Sequence, residues 1–243
     1  MIANDFIAIA HRGAMAYAPE NTRAAFELAL HMGAKHIELD VHATADGQAA
    51  VIHDKTLDRT TNGTGLVADR SMAELKTLDA GSWFDPRFAH ERIPEFSETL
   101  ERYAQRAHLH TEIKSAKAGF TEHIADLIRA HGAERNTTIM AFEIARLEEM
   151  RRYAPELGVG WLVYKATDTV IATAQSAGID LLCPKANYTT SAQVQRLHRE
   201  GFMVRIWGVQ SEAKMRKTVK SGADGMTIDF PDKLLRYLRE CRE

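Results

Sequence analysis

Short apolar runs and longer amphipathic segments alternate along this chain eight times, and that rhythm leaves few folds open. The strand candidates are Phe6–His11, His36–Thr44, Leu109–Lys114, Thr137–Phe142, Gly158–Tyr164, Leu181–Lys185, Phe202–Val209 and Gly225–Asp229. Between them lie the helical patterns Thr22–Met32, Ser97–Ala107, Phe120–His131, Glu143–Tyr153, Val170–Ala177, Ser191–Arg199 and Ser211–Lys220, and Asp232–Arg239 follows the last run. Strands joined by crossover helices run parallel. Eight such units predict an α/β architecture closed into a (β/α)8 (TIM) barrel, and 243 residues match the roughly 250 that one barrel uses. The competing arrangement is an open doubly wound sheet, which no GxGxxG turn supports.

One stretch breaks the rhythm. Between Thr44 and Ser97 lie an extra strand candidate, Ala49–His53, and a run of turn formers, Thr60-Thr61-Asn62-Gly63-Thr64-Gly65. Loops of this length in a compact domain carry structure or function of their own. The expected organisation is one domain over residues 1–243, with a small inserted subdomain after the second strand, at about 53–94, over the C-terminal mouth. The adjacent Trp83 and Phe84 are expected to anchor it or to line the pocket.

Residues two apart on a strand share a face. Glu38 and Asp40 therefore point one way while Ile37, Leu39 and Val41 point the other, and Glu112 shares a face with Lys114. In a barrel the apolar set meets the helices, so the carboxylates face the axis near the C-terminal ends, where barrel active sites lie. Buried carboxylates need compensation. Two arrangements supply it: a hard divalent cation, with Mg²⁺ first and Ca²⁺ or Mn²⁺ as alternatives, or a salt-bridge network with Arg12 and Lys114. His11 and His53 each end an apolar run beside this cluster, and Gly13 lets the chain turn sharply after His11. By parity Trp207 shares the inward face with Arg205, where it could pack on substrate carbons or simply fill the barrel. Lys185, at a strand end, is expected to be solvated, with contact to a second anionic group as the alternative, and His31, His90, His123, His131 and His198 are expected to be solvated.

A formal net charge of −2 gives no reason to expect a nucleic-acid partner. No apolar run of membrane-spanning length occurs, and no basic and apolar leader precedes His11, so stable membrane association is not expected. The two cysteines, Cys183 and Cys241, have no metal-ligand spacing and fit a reducing, cytoplasmic setting.

The stretches His11-Arg12-Gly13, Pro19-Glu20-Asn21-Thr22, Glu38-Leu39-Asp40-Val41, His53-Asp54, Leu57-Asp58-Arg59-Thr60-Thr61-Asn62-Gly63-Thr64-Gly65, Glu112-Ile113-Lys114 and Gly222-Ala223-Asp224-Gly225 together resemble the glycerophosphodiester phosphodiesterase family. The resemblance runs from residue 8 to about 232. It implies a barrel with an insertion, a divalent metal on Glu38, Asp40 and Glu112, an acid–base pair in His11 and His53, and phosphate contacts from Arg12 and Lys114. The implied reaction is hydrolysis of a small glycerophosphodiester to glycerol 3-phosphate and an alcohol. The second half departs from the family pattern at Met140-Ala141-Phe142 and at Arg205-Ile206-Trp207-Gly208-Val209-Gln210, which bears on the alcohol more than on the reaction. Two other functions compete: a sphingomyelinase-type phospholipase D acting on a larger phospholipid, and a non-catalytic barrel that binds a phosphate ligand.

Overall fold

The computed structural model of the chain describes residues 6–241. Its strands are β1 (Ile7–Ala10), β2 (His36–Ala43), β3 (Ala49–Val51), β4 (His108–Ile113), β5 (Thr137–Ala141), β6 (Gly158–Val163), β7 (Leu181–Pro184), β8 (Met203–Val209) and β9 (Gly225–Ile228). All but β3 are parallel, in the order β1-β9-β8-β7-β6-β5-β4-β2, and β1 pairs with β2 through Ile9–His36 and Ala10–Ile37. That last pairing closes the barrel and removes the open-sheet alternative. β3 runs antiparallel to β2, with Val41 opposite Val51, and adds an edge outside the ring.

The helices are α1 (Arg23–His31), α2 (Met72–Leu75), α3 (Phe96–Tyr103), α4 (Phe120–Ala130), α5 (Ile144–Tyr153), α6 (Asp168–Ser176), α7 (Ser191–Arg199), α8 (Glu212–Lys220) and α9 (Pro231–Glu240). All but α2, which belongs to the inserted segment, present an apolar stripe to the barrel. On α4 that stripe is Phe120, Ile124, Ala125 and Ile128, which share one face at helical spacing. It and the other stripes cover the outward residues of the strands, among them the fully buried Ile37, Leu39 and Val41. Among the described residues no helix is long and apolar enough to cross a membrane.

The strands end earlier than the apolar pattern suggests. His11, His53, Phe142, Lys185 and Asp229 all lie just past the last ladder residue, and so does Lys114. A side chain beyond the ladder is no longer held perpendicular to the sheet, so it can turn over the barrel mouth. At the first of these exits Arg12 takes φ 51° and Gly13 φ 84°. A Cβ on Gly13 would lie 2.5 Å from the carbonyl carbon of Ala25, so only glycine lets this turn pack against α1. Thr22 then caps α1, its hydroxyl accepting from the Ala25 N–H.

The segment between β3 and α3 has a small apolar cluster of its own, with Leu57, Val67, Met72, Leu75 and Ile93 packed beneath Ala50 and Ile52. Trp83, Phe84 and Phe88 stack edge to face in this segment, and the Trp83 indole N–H donates to the Ala80 carbonyl. Neither Trp83 nor Phe84 lines the barrel pocket, so of the two roles expected for the pair the pocket one is withdrawn.

Candidate active site

Three carboxylates converge at the C-terminal end of β2 and β4. Ligand oxygens of Glu38, Asp40 and Glu112 all lie within 4.8 Å of one another, and all three residues are buried. Facing positions on the paired strands bring them together, Asp40 being opposite Glu112 in the register. Two cations are threaded between them. The Arg12 Nε lies 3.2 Å from Asp40 Oδ2, and its Nη1 donates to Glu20 at 2.7 Å. Lys114 Nζ is 2.7 Å from Glu112 and 3.4 Å from Asp40. Asn21, held at φ 57°, donates its side-chain amide to Asp40 Oδ2 at 2.9 Å.

The charges do not balance within this network. Burial, and then repulsion by Asp40, push the Glu38 carboxyl well above its usual range, and the same two causes push Glu112 up to about 7 against the pull of Lys114. Burial also works against Asp40, but Arg12, Lys114 and the Asn21 amide outweigh it and hold that carboxyl down at about 2. Asp40 Oδ1 is buried with no hydrogen-bond partner. Glu38 accepts the Arg12 backbone N–H at 3.0 Å and has no lysine or arginine side chain of its own. The salt-bridge network is thus present but leaves one buried carboxylate oxygen, Asp40 Oδ1, without a hydrogen bond. An all-oxygen set with an orphaned lone pair fits a hard divalent cation.

Two histidines flank the cluster, and each leans on a carboxylate. His11 Nδ1 donates to Asp229 Oδ1 at 2.6 Å, and His53 Nδ1 to Asp54 Oδ1 at 2.6 Å. That bond fixes the tautomer and leaves Nε2 of each ring as the free nitrogen. Burial lowers the pKa of His53 despite the nearby Asp40 carboxylate. Asp54 is itself gripped by Arg59, whose guanidinium also donates twice to Glu20. The His42 ring donates to the His53 carbonyl at 3.0 Å. The insertion thereby ties its Arg59 to the loop after β1 through Glu20.

Both histidines, Arg12, Glu38, Glu112 and Lys114 line one pocket of about 210 Å³, which continues across the barrel to Phe142, Lys185, Arg205 and Trp207. Trp207 points into it as strand parity required, its indole N–H donating to the Val163 carbonyl. It meets Phe142 and Tyr164 edge to face. The expectation of a solvated Lys185 is corrected: its Nζ sits 5.0 Å from the Trp207 ring centre and 5.3 Å from that of Tyr164. The ammonium is held over two aromatic rings, which sequence periodicity could not reveal for a residue one position past β7. His131 is likewise half-buried rather than solvated, donating to the Leu127 carbonyl at 2.8 Å.

The model of the glycerophosphoryl diester phosphodiesterase family matches residues 11–233, from the histidine at the end of β1 to the start of α9. The chain belongs to that family. A glycerophosphodiester phosphodiesterase of Caldanaerobacter subterraneus is 36% identical over 238 residues, covering 96% of this chain and 98% of its own. Among solved structures, a phosphodiesterase of Oleispira antarctica in complex with the product sn-glycerol-3-phosphate superposes with TM-score 0.91 at 28% identity, covering 96% of each chain. A glycerophosphodiester phosphodiesterase of Agrobacterium tumefaciens is 32% identical, with TM-score 0.84, over 95% of this chain and 99% of that one.

For this family member, the eight residues singled out from sequence all reach the pocket or its carboxylate cluster. Four partners were given no role there: Asp229, Asp54, Asn21 and Arg59. Asp54, Asn21 and Arg59 stood inside quoted motifs, but their roles depend on contacts between loops. Asp229 is 218 positions from His11, so no local pattern could pair them.

Proposed function

We propose that the protein hydrolyses glycerophosphodiesters to glycerol 3-phosphate and an alcohol, with one divalent cation held by Glu38, Asp40 and Glu112 and with His11 and His53 as the acid–base pair. The observation that carries this reading is the placement of two carboxylate-backed histidines on one pocket with three mutually repelling carboxylates. Mg²⁺ is the first candidate, with Ca²⁺ and Mn²⁺ as alternatives, because every donor is a hard oxygen. When bound, the cation would supply Lewis-acid stabilisation of the charge that builds on the phosphoryl oxygens.

The chain's own groups divide the remaining work. Arg12 and Lys114 carry positive charge beside the cluster, where they would orient the phosphodiester and stabilise its developing charge. One imidazole Nε2 accepts the proton of the attacker, either water directly or a glycerol hydroxyl whose cyclic phosphate water then opens, as the other donates to the departing oxygen. Asp229 and Asp54 stabilise whichever ring becomes cationic. The half-buried walls exclude bulk water from part of the pocket and strengthen each of these interactions. Trp207 and Phe142 give the carbon skeleton of the substrate an apolar surface.

The test is product analysis on glycerophosphocholine, glycerophosphoethanolamine, glycerophosphoinositol and glycerophosphoglycerol with added metal. The expected products are glycerol 3-phosphate and free alcohol in equal amounts. With the choline, ethanolamine and inositol substrates, release of glycerol and a phosphorylated alcohol would mean that the other ester bond is cut, and no release from any of the four would overturn the reading.

A further inference from the structure

The cations close to the catalytic cluster are all neutralised. Arg12 pairs with Glu20 and Asp40, Lys114 with Glu112 and Asp40, and Arg59 with Glu20 and Asp54. On the opposite wall of the same pocket stand two that are not. Among the described residues no carboxylate lies within 4.0 Å of Arg205 or Lys185. Arg205 Nη1 is 3.2 Å from the ring nitrogen Nδ1 of His110, and its buried Nε has no partner. His110 turns its other ring nitrogen to His36 at 3.2 Å, so imidazoles, the buried Cys183 thiol and apolar side chains surround Arg205, and the Asp224 carboxylate acts on it only from beyond ion-pair distance. A guanidinium set in this way retains unfilled donor capacity, and burial makes its charge costly until an anion arrives.

The aromatic surface beside it is also informative. Phe142 and Tyr164 each meet Trp207 edge to face, at 88° and 72°, and are tilted 36° to each other, so the three rings form the kind of aromatic corner in which a quaternary ammonium group could sit. Here those faces are already occupied by cations of the chain itself: Lys185 over Tyr164 and Trp207, and Lys114 at 5.9 Å from the centre of Phe142. A positively charged alcohol would have to displace Lys185 and would meet Arg205 beyond it.

We propose that the arm of the pocket bounded by Phe142, Lys185, Arg205 and Trp207 is a subsite for an anionic group, a carboxylate or a phosphate monoester, carried by the alcohol half of the diester. The inference rests on the proposed phosphodiesterase activity, since it assigns which diesters that activity favours. Arg205 offers a planar pair of donors at the floor and Lys185 a mobile ammonium nearer the mouth. The acidic groups of the pocket, Glu38, Glu112 and Asp229, lie towards the C-terminal ends of β2, β4 and β9, above the level of Arg205, which pairs with Gly225 at the start of β9. The two ends of one diester thus meet opposite environments.

Steady-state kcat/KM on four diesters of glycerol 3-phosphate tests this. Their alcohols are glycerol, choline, glycerate, which brings a carboxylate, and glycerol phosphate, which brings a phosphate monoester. At low ionic strength the two anionic alcohols should exceed the glycerol diester by about tenfold or more, and choline should fall below it by a similar factor. The better of the two anionic substrates identifies the natural charge. In R205M and in K185M the anionic-to-neutral ratio should fall by about tenfold or more, while R205K retains most of it. Lys185 lies past the end of β7, whereas Arg205 stands within β8, so K185M reports even if R205M does not fold. Hydrolysis of the neutral diester with equal or better hydrolysis of the choline diester overturns the subsite and leaves the activity standing. An unchanged ratio in both methionine variants does the same. No hydrolysis of any of the four overturns the activity and the subsite together.

Discussion

The Nδ1 of His11 lies 2.6 Å from Oδ1 of Asp229, which ties the exit of the first barrel strand to the exit of the last. Barrel closure is what brings them together, since β9 pairs with β1 through Ala10 and Ile228, the residues just before each partner. In Asp229→Asn the ring loses the carboxylate that fixes its tautomer and supports its protonated form. We expect kcat to fall by roughly tenfold to a hundredfold with KM little changed. A kcat matching the wild type would reduce the contact to a structural one.

Removing the acid–base groups should cost more. His11→Ala and His53→Ala should each lose roughly a hundredfold or more in kcat while still binding substrate. A nitrophenyl phosphodiester needs little protonation of its leaving oxygen. It should restore turnover in the variant that lacks the acid and not in the one that lacks the base. Equal restoration in both would argue against any division of labour between the rings.

The carboxylate cluster makes a prediction that needs no assay of turnover. Burial and the Asp40 carboxylate oppose ionisation of Glu38. Glu38→Gln removes a buried charge and should raise Tm in metal-free buffer. The wild type should gain several degrees with millimolar Mg²⁺, Mn²⁺ or Ca²⁺, since ligands that bind only the folded state stabilise it. The variant should gain much less. Metal-induced shifts of equal size in both proteins would move the cation elsewhere.

Strand parity was enough to place Glu38, Asp40 and Glu112 on the barrel axis, because alternation is a property of neighbouring residues. Eight repeats of the same rhythm likewise pointed to the barrel. The polarity of the barrel floor was harder to read. Arg205 and Lys185 are ordinary surface residue types, and only closure of the ring shows that no carboxylate reaches them. His36, His108 and His110 likewise begin two strands in sequence but form a stacked cluster in the structure, with ring centres 4.9–5.4 Å apart.

That cluster sets an acid limit on stability. Burial, with the positive field of Arg205, pushes His108 down to about 4; burial and then His108 and Arg205 do the same to His36; His110 lies well below its usual value. A histidine with a lowered folded pKa binds its proton more readily in the unfolded chain. Its stabilisation is therefore complete above the unfolded value of about 6.5, is lost as pH falls towards 4, and levels off below the folded value. Allowing for solvent at the two half-buried rings, the loss across that window should be on the order of 2 kcal/mol. Denaturant melts at pH 7, 5.5 and 4.5 measure it, and His108→Asn should flatten the slope. A slope unchanged in that variant would leave the acid limit to other groups.

The most direct test of the central claim is the rate of glycerol 3-phosphate release from glycerophosphoglycerol by chelated protein, before and after one divalent cation is returned. The account predicts a rate near background after chelation. It predicts recovery with Mg²⁺, Mn²⁺ or Ca²⁺ in the wild type and no recovery in Glu112→Ala. Wild-type rates in Glu112→Ala with chelator present would show that these carboxylates do not hold a catalytic cation, and the mechanism proposed for this pocket would fall with them.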